Sequence, residues 1–202
     1  LPQHQVRWLI EKTHFAMAMQ DVRYYLNGLL LELDGQGIKT VATDGHRLAL
    51  AELAVDLPIS EAVQIIVPRK AIQELLRLLE SSDTEVELIL GSSHLQVVLP
   101  DLRFTTKLID GRFPDYQRVI PEAEGSVVNV DREMLRKALV RASILSNEKY
   151  RGVRFIFEPE QLRIQSNNPE QEEAEEEVAA ESNGAGMEIG FNASYMLDAL
   201  AA

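Results

Sequence analysis

The sequence has no cysteine, one tryptophan and an aromatic content of 6%. Without cysteine there is no disulfide, no thiolate metal site and no thiol nucleophile, and such a chain suits a reducing cytoplasm, the compartment expected here. No apolar run approaches the roughly 20 residues of a membrane span, and no signal sequence is visible, although a cut start would hide one. Positive charge is scarce: 20 Lys and Arg against 32 Asp and Glu leave a formal net charge of −12. That balance argues against nucleic acid as a partner unless charge is segregated along the chain. Catalytic signatures are thin as well, with four histidines and no HExxH, P-loop or nucleophile elbow. No residue pattern calls for a metal or a cofactor.

What is present is a repeat. Gly28, Leu29, Leu31, Leu33 and Ile38 align with Gly152, Val153, Phe155, Phe157 and Leu162 at a constant offset of 124. Val63, Ile65, Val67 and Ile72 meet Met187, Ile189, Phe191 and Met196 at the same offset. Upstream, Val6, Leu9, Ile10 and Thr13 meet Leu135, Ala138, Leu139 and Ala142 at an offset of 129, so the first copy carries five extra residues after its first helix. A period this long is a duplicated domain, not a solenoid unit. The length allows two domains that each bury a core. Residues equivalent to 77–121 of the first copy would follow Ala201, and the strand 126–130 has no counterpart before Leu1. The chain is therefore read as a fragment of a longer parent.

Charge is in fact segregated. The helical segments 5–20, 69–81 and 132–145 carry +1, +1 and +3, so −17 remains for everything else. If those helices share one face, that face attracts phosphate although the molecule is acidic. Surface helices also carry Lys and Arg with no such role.

The pattern of elements is α+β. Pro2 suits a first helical turn, and Val6, Leu9, Ile10 and Thr13 lie on one helical face. Strand-like stretches 29–33, 38–43 and 47–54 are divided by Asp34-Gly35 and Asp44-Gly45, and Pro68 opens a helix with Ile72, Leu75, Leu76 and Leu79 at helical spacing. The stretches 85–90, 95–99 and 102–108 alternate apolar and polar residues. Two helices on antiparallel strands predict one buried and one solvated sheet face in each copy. The segment 109–130 reads as the linker, with a boundary near Pro121. The segment 169–181 holds seven glutamates and reads as a solvated outer strand or loop, not a calcium site.

Two clusters could carry function. Asp44, His46 and Arg47 invite an acid-base reading, yet Asp44-Gly45 is also an ordinary hairpin turn. Arg23 beside Tyr24 and Tyr25 suits pairing with phosphate and stacking on bases or sugars; one tyrosine in the core and one at the surface is the plainer alternative.

At these residues a resemblance becomes specific. The stretches Gln20-Asp21-Val22-Arg23-Tyr24-Tyr25-Leu26-Asn27-Gly28, Thr40-Val41-Ala42-Thr43-Asp44-Gly45-His46-Arg47-Leu48-Ala49, Val67-Pro68-Arg69-Lys70 and Asp110-Gly111-Arg112-Phe113-Pro114-Asp115-Tyr116 occur in one order. They are followed by Ile144-Leu145-Ser146-Asn147-Glu148-Lys149 and by the acidic run from Asn168 to Glu176. Together they resemble the beta subunit of bacterial DNA polymerase III, the sliding-clamp family, over essentially the whole chain.

The resemblance implies clamp-type α+β domains with two helices inside and antiparallel sheets outside, three to a subunit and two subunits to a ring. Residues 1–121 would be the middle domain without its first strand, and 122–202 the third domain without its C-terminal half. It implies a non-catalytic processivity factor that encircles duplex DNA without reading its sequence. The implied partners are the DNA polymerase III alpha subunit, the clamp loader, and other polymerases and repair proteins with clamp-binding motifs. Gln20, Arg23, Tyr24, Tyr25, Arg69 and Lys70 fall on DNA-contact positions. Leu26, Thr43, Gly45, His46, Arg47 and Leu48 fall on a hydrophobic peptide-binding cleft, as do Pro114, Arg118 and Val119, with Asn192 and Tyr195 from the third domain. Ile144 and Leu145 fall on the homodimer interface. A fragment so cut is expected not to close the native ring. The alternative is an acidic protein-interaction module without DNA contact.

Overall fold

The computed structural model describes residues 1–121, 125–183 and 186–202; residues 122–124 of the expected linker lie outside the described residues. The chain divides into two units, Leu1–Ile120 and Pro121–Ala202.

The first unit runs α1 (Gln3–Glu11), β1 (Gly28–Asp34), β2 (Gly37–Thr43), β3 (Leu48–Ala54), β4 (Val63–Pro68), α2 (Arg69–Leu78), β5 (Glu87–Leu90), β6 (His94–Val98) and β7 (Arg103–Lys107). Its strands form a four-stranded sheet ordered β3-β2-β1-β4 and a three-stranded sheet ordered β5-β6-β7, every pair antiparallel. The β1–β2 turn closes because Asp34 Oδ1 accepts from the backbone N–H groups of Gln36 (2.8 Å) and Gly37 (2.9 Å). The helices pack on both sheets: Val6 and Ile10 of α1 and Ala71, Ile72 and Leu75 of α2 meet Leu29, Val67, Leu95 and Val97. Each fully buried Leu or Ile contributes about 1.5–3 kcal/mol.

The first helix is shorter than the expected 5–20, ending at Glu11. Two hydroxyls explain the stop: Thr13 Oγ1 (2.8 Å) and Thr40 Oγ1 (2.9 Å) both donate to Leu9 O, satisfying a carbonyl of the last turn and tying it to the sheet. A 3-10 turn at His14–Ala16 follows. The second helix likewise ends at Leu78, its C-cap Leu79 being extended. With these bounds Lys12 and Glu80 leave the helices, making α1 neutral and α2 +2.

One expectation fails in this unit. The outer face of the four-stranded sheet is not solvated at its centre, because segments 17–27 and 109–119 lie over it. Leu30, Val41 and Ile66, which point away from the helices, are 2%, 0% and 3% exposed. The cause is local sequence: strands that carry leucine or valine on both faces need cover on both.

The second unit runs β8 (Val128–Val130), α3 (Arg132–Ile144), β9 (Gly152–Phe157), β10 (Gln161–Asn167), β11 (Glu173–Ser182), β12 (Met187–Asn192) and α4 (Ala193–Ala201). Its sheet is ordered β12-β9-β10-β11-β8. Asp131 N-caps α3 by accepting from Met134 N at 2.8 Å, and Asn192 N-caps α4 through Ser194 N (2.9 Å) and Tyr195 N (3.2 Å). The acidic segment forms β11, which turns Val178 and Ala180 into the core and leaves Glu173, Glu175 and Glu177 exposed.

The repeat extends to strand register. Leu29↔Val67, Leu31↔Ile65 and Leu33↔Val63 of β1 and β4 recur as Val153↔Phe191, Phe155↔Ile189 and Phe157↔Met187 of β9 and β12. Leu33↔Ile38 recurs as Phe157↔Leu162. The next strand keeps its pairing with an offset of 125, since Thr43↔Leu48 becomes Asn167↔Glu173. The extra residue lies in the loop after Asn167. In both units a sheet hydroxyl holds the end of the preceding helix, Thr40 on Leu9 O and Ser166 on Ala142 O at 2.6 Å.

Candidate binding groove

Duplication makes the differences between the units informative. Leu30, Val41 and Ile66 on the outer face of the first unit occupy the register positions of Arg154, Gln165 and Gly190 in the second. Leu48 and Leu50 occupy those of Glu173 and Glu175. In the second unit this face is polar, with Gln165 Nε2 donating to Glu175 Oε2 at 2.5 Å and Arg154 at 3.8 Å from Glu188. In the first it is apolar: Leu30, Val41 and Ile66 are buried in one cluster with Leu26, Phe113 and Tyr116, and Leu48 and Leu50 are half-buried at its margin.

Segment 109–119 forms one wall. Ile109 N donates to Ile66 O at 2.9 Å, and Phe113 and Tyr116 are buried in that cluster. Tyr116 Oη donates to Glu32 Oε2 at 2.5 Å, while Gln64 Nε2 donates to the other oxygen of the same carboxylate. Burial first, and then the Glu32 carboxylate, pushes the Tyr116 phenol up to about 12, so it remains a donor at neutral pH. With that wall pinned, Pro114, Arg118 and Val119 are left exposed, Val119 at 67%. Arg118 pairs with Asp115 at 2.7 Å.

The turn after β2 forms the opposite edge. Asp44 Oδ1 accepts from His46 N (2.9 Å) and Arg47 N (3.1 Å), and Oδ2 pairs with Arg47 Nε at 3.1 Å. Thr43 Oγ1 donates to Arg47 O at 2.7 Å and accepts from Gly45 N at 3.0 Å. Gly45 adopts φ +87°, a conformation that glycine reaches without steric cost. Arg47 Nη2 reaches Phe15 O at 2.8 Å, with the guanidinium 5.6 Å from the Phe15 ring centre. Asp44 thus organises a turn and pairs with Arg47, the hairpin alternative to acid-base chemistry. His46 stands exposed at the tip.

Of the DNA-contact candidates, Arg23 reaches this edge, its Nη2 lying 3.4 Å from Asp44 O; the others lie on segments 20–25 and 69–70. Asn27 joins their segments: it accepts from Asp21 N (2.9 Å), donates to Asp21 O (2.8 Å), and its carbonyl accepts from Arg69 N at 3.0 Å. Gln20 is exposed with φ 58°. Tyr24 is 56% exposed, whereas Tyr25 packs against the groove's core, the rings meeting edge to face at 5.7 Å. Arg69 Nη1 donates to Met17 O at 3.1 Å. Lys70 is exposed and unpaired among the described residues.

In the second unit, Asn192 caps α4 and Tyr195 lies in its first turn. Ile144, 73% exposed, ends α3, and Leu145 is its half-buried C-cap. Among the described residues no group of three or more His, Asp or Glu could hold a metal ion, and no helix is long and apolar enough to cross a membrane.

Sequence reasoning did not single out Leu30, Val41, Leu50, Ile66, Phe113 and Tyr116 as the apolar cluster of this face, nor Asp21 and Asn27 as the residues that hold the Arg23 segment. The signal for the apolar face was available: apolar residues in one copy standing where the other is polar or has glycine.

Two units of one topology, matched in strand register and each built from helices on antiparallel sheet, define a protein of repeated clamp-type domains. The family model for the DNA polymerase III beta subunit, central domain, matches residues 1–115, and that for the C-terminal domain of the same subunit matches residues 117–202. The chain is 54% identical over 200 residues to the beta sliding clamp of Pseudomonas aeruginosa, covering 99% of this chain and 54% of that protein. It is 50% identical over 203 residues to the beta sliding clamp of Escherichia coli, with the same shares covered. The crystal structure of the Pseudomonas aeruginosa DNA polymerase III subunit beta has a TM-score of 0.97 over 100% of this chain and 55% of its own. A sliding clamp of that organism bound to griselimycin has a TM-score of 0.94 at 54% identity, with the same shares covered. The chain belongs to the DNA polymerase III beta subunit family, the sliding clamps, and spans about half the length of the curated relatives it matches.

Proposed function

We propose that this chain supplies the partner-capturing part of a sliding clamp, a cytoplasmic, non-catalytic ring that encircles duplex DNA and confers processivity on the replicative polymerase. The apolar groove of the first unit receives short motifs from the DNA polymerase III alpha subunit, the clamp loader, and other polymerases and repair proteins. Leu48, Pro114 and Val119 give apolar anchoring, while Thr43, Gly45, His46, Arg47 and Arg118 shape the rim. Leu26 supports the groove, and Asn192 and Tyr195 of the second unit contact such motifs as well. Gln20, Tyr24, Tyr25, Arg69 and Lys70 meet DNA, and Arg23 lies within the same segment, held at the groove edge. Cationic phosphate contacts that read no base edges let the ring slide. Ile144 and Leu145 join the partner subunit in a homodimer, and closure of the ring requires complementary ends.

The observation that carries this reading is the asymmetry between the repeats: one fold, with an apolar, partly covered outer face in the first unit only. Griselimycin is bound by the Pseudomonas aeruginosa relative, which makes it a suitable probe. Titration of the chain with griselimycin should saturate, and Leu48→Ala should weaken capture by about 1 kcal/mol or more if Leu48 is a buried anchor. Equal affinity would refute the groove. In the full-length parent, Lys70→Ala should lower retention on primed DNA; unchanged retention would favour the acidic interaction module.

A further inference from the structure

Asp21 has no part in the groove or the DNA patch as assigned, yet its carboxylate is fully used. Oδ1 accepts from Arg23 N at 2.8 Å and Arg23 Nε at 3.0 Å, and Oδ2 accepts from Arg23 Nη2 at 2.8 Å. This two-oxygen grip fixes a long side chain in one direction. The direction is toward the groove: Arg23 Nη2 is 3.4 Å from Asp44 O, and a Cβ on Gly45 would stand 2.9 Å from Nη2. Asp21 is itself held, its backbone N–H and carbonyl both engaged by the Asn27 amide at 2.9 and 2.8 Å. Hydrogen bonds from the Arg23 side chain and backbone hold its carboxyl down to about 2, so the grip persists at neutral pH.

We infer that Asp21 is a positioning residue for the groove, holding the Arg23 guanidinium against the Asp44–Gly45 turn so that this cation builds the groove edge and is withheld from phosphate. The inference rests on the groove reading proposed for the first unit. Arg23 is then shared between two ligands. With Asp21 engaged it supports the turn that borders the groove; with Asp21 neutralised it is free to swing toward a phosphate. The exposed flanks of the pair, Val22 at 95% and Tyr24 at 56%, leave room for that movement.

The test is a griselimycin titration of the chain carrying Leu48→Ala, Asp21→Asn, Asp21→Glu, Arg23→Ala, or Asp21→Asn with Arg23→Ala. Asp21→Asn should bind about threefold or more weakly, since a charge-assisted hydrogen bond is lost. Arg23→Ala should match it, the double variant should be no weaker than either single one, and Asp21→Glu should restore much of the affinity. In parallel, binding of a duplex oligonucleotide by Asp21→Asn should steepen in its log–log salt dependence by about 0.9, because the released guanidinium neutralises one more phosphate, and Arg23→Ala should abolish that steepening. If Leu48→Ala weakens capture but Asp21→Asn does not, or if the two losses add, the inference is wrong. If Leu48→Ala changes nothing, the groove reading falls, and the inference with it.

Discussion

The repeat offers a paired experiment in which one substitution is made twice. Gly28 begins β1 and Gly152 begins β9, at equivalent register positions opposite Pro68 and Asn192. A Cβ on Gly28 would lie 2.6 Å from Val67 O, 2.8 Å from Ile66 Cγ2 and 2.9 Å from Ile109 Cδ1, whereas one on Gly152 would meet nothing within 4 Å. The Ile109 methyl can rotate away, but Val67 O belongs to a paired strand and cannot. Overpacking of this kind costs about 1–3 kcal/mol, against a gain of about 0.4–1 kcal/mol from the stiffer unfolded chain. Gly28→Ala should therefore destabilise the first unit by about 1–2 kcal/mol, while Gly152→Ala should leave the second unit unchanged or up to about 1 kcal/mol more stable. Trp8, the one tryptophan in the sequence, lies on α1 and reports the first unit by fluorescence during urea unfolding. Hydrogen exchange of the α3 amides reports the second. If Gly28→Ala proves as harmless as Gly152→Ala, the outer face of the first unit is not covered as described.

Tyr116→Phe removes only the donor to Glu32; because that carboxylate is half-exposed, we expect a loss of about 1 kcal/mol in urea unfolding. The phenol's pKa is raised by folding, so its contribution is whole below pH 10 and fades as pH rises toward 12; the gap between wild type and Tyr116→Phe should narrow across that window. A gap constant with pH would refute the assignment. Gly45→Ala forces a Cβ onto φ +87° and against the Arg23 guanidinium, and should cost about 1–2 kcal/mol in the Trp8-reported transition; no loss would mean that the turn relaxes freely. In the second unit, the Arg141 guanidinium, which donates to Glu176 at 2.7 and 2.5 Å, lowers that carboxyl's pKa. Arg141→Ala should raise the Glu176 titration toward the ordinary glutamate range by NMR, and the wild-type pair should loosen as pH falls through the depressed value; an unmoved titration would contradict the pairing.

The repeat was legible because apolar alternation at a fixed spacing records register directly, as the matched pairs of β1–β4 and β9–β12 show. The α+β class followed from the same periodicities. Helix ends were less legible: nothing local to Lys12 or Thr13 announces that Thr40, on a strand, caps the Leu9 carbonyl. The apolar face was hidden for a related reason. Leu30 and Val41 look like ordinary strand residues until the register sets Arg154 and Gln165 at the same positions of the second unit. The residues alone drew attention to Arg23 with the two tyrosines and to Asp44, His46 and Arg47, but left their roles open; the assignment of Gln20, of DNA contact and of the Thr43–Leu48 turn to a cleft came only from the family resemblance. The roles of Asp21 and Asn27 depend on side-chain hydrogen bonds that a linear pattern does not encode.

The central claim is that the outer face of the first unit is a binding groove, and griselimycin titration of wild type and Leu48→Ala tests it most directly. Saturable binding by wild type, with affinity about fivefold or more lower for Leu48→Ala, is the predicted result. Indistinguishable affinities for the two proteins would contradict it.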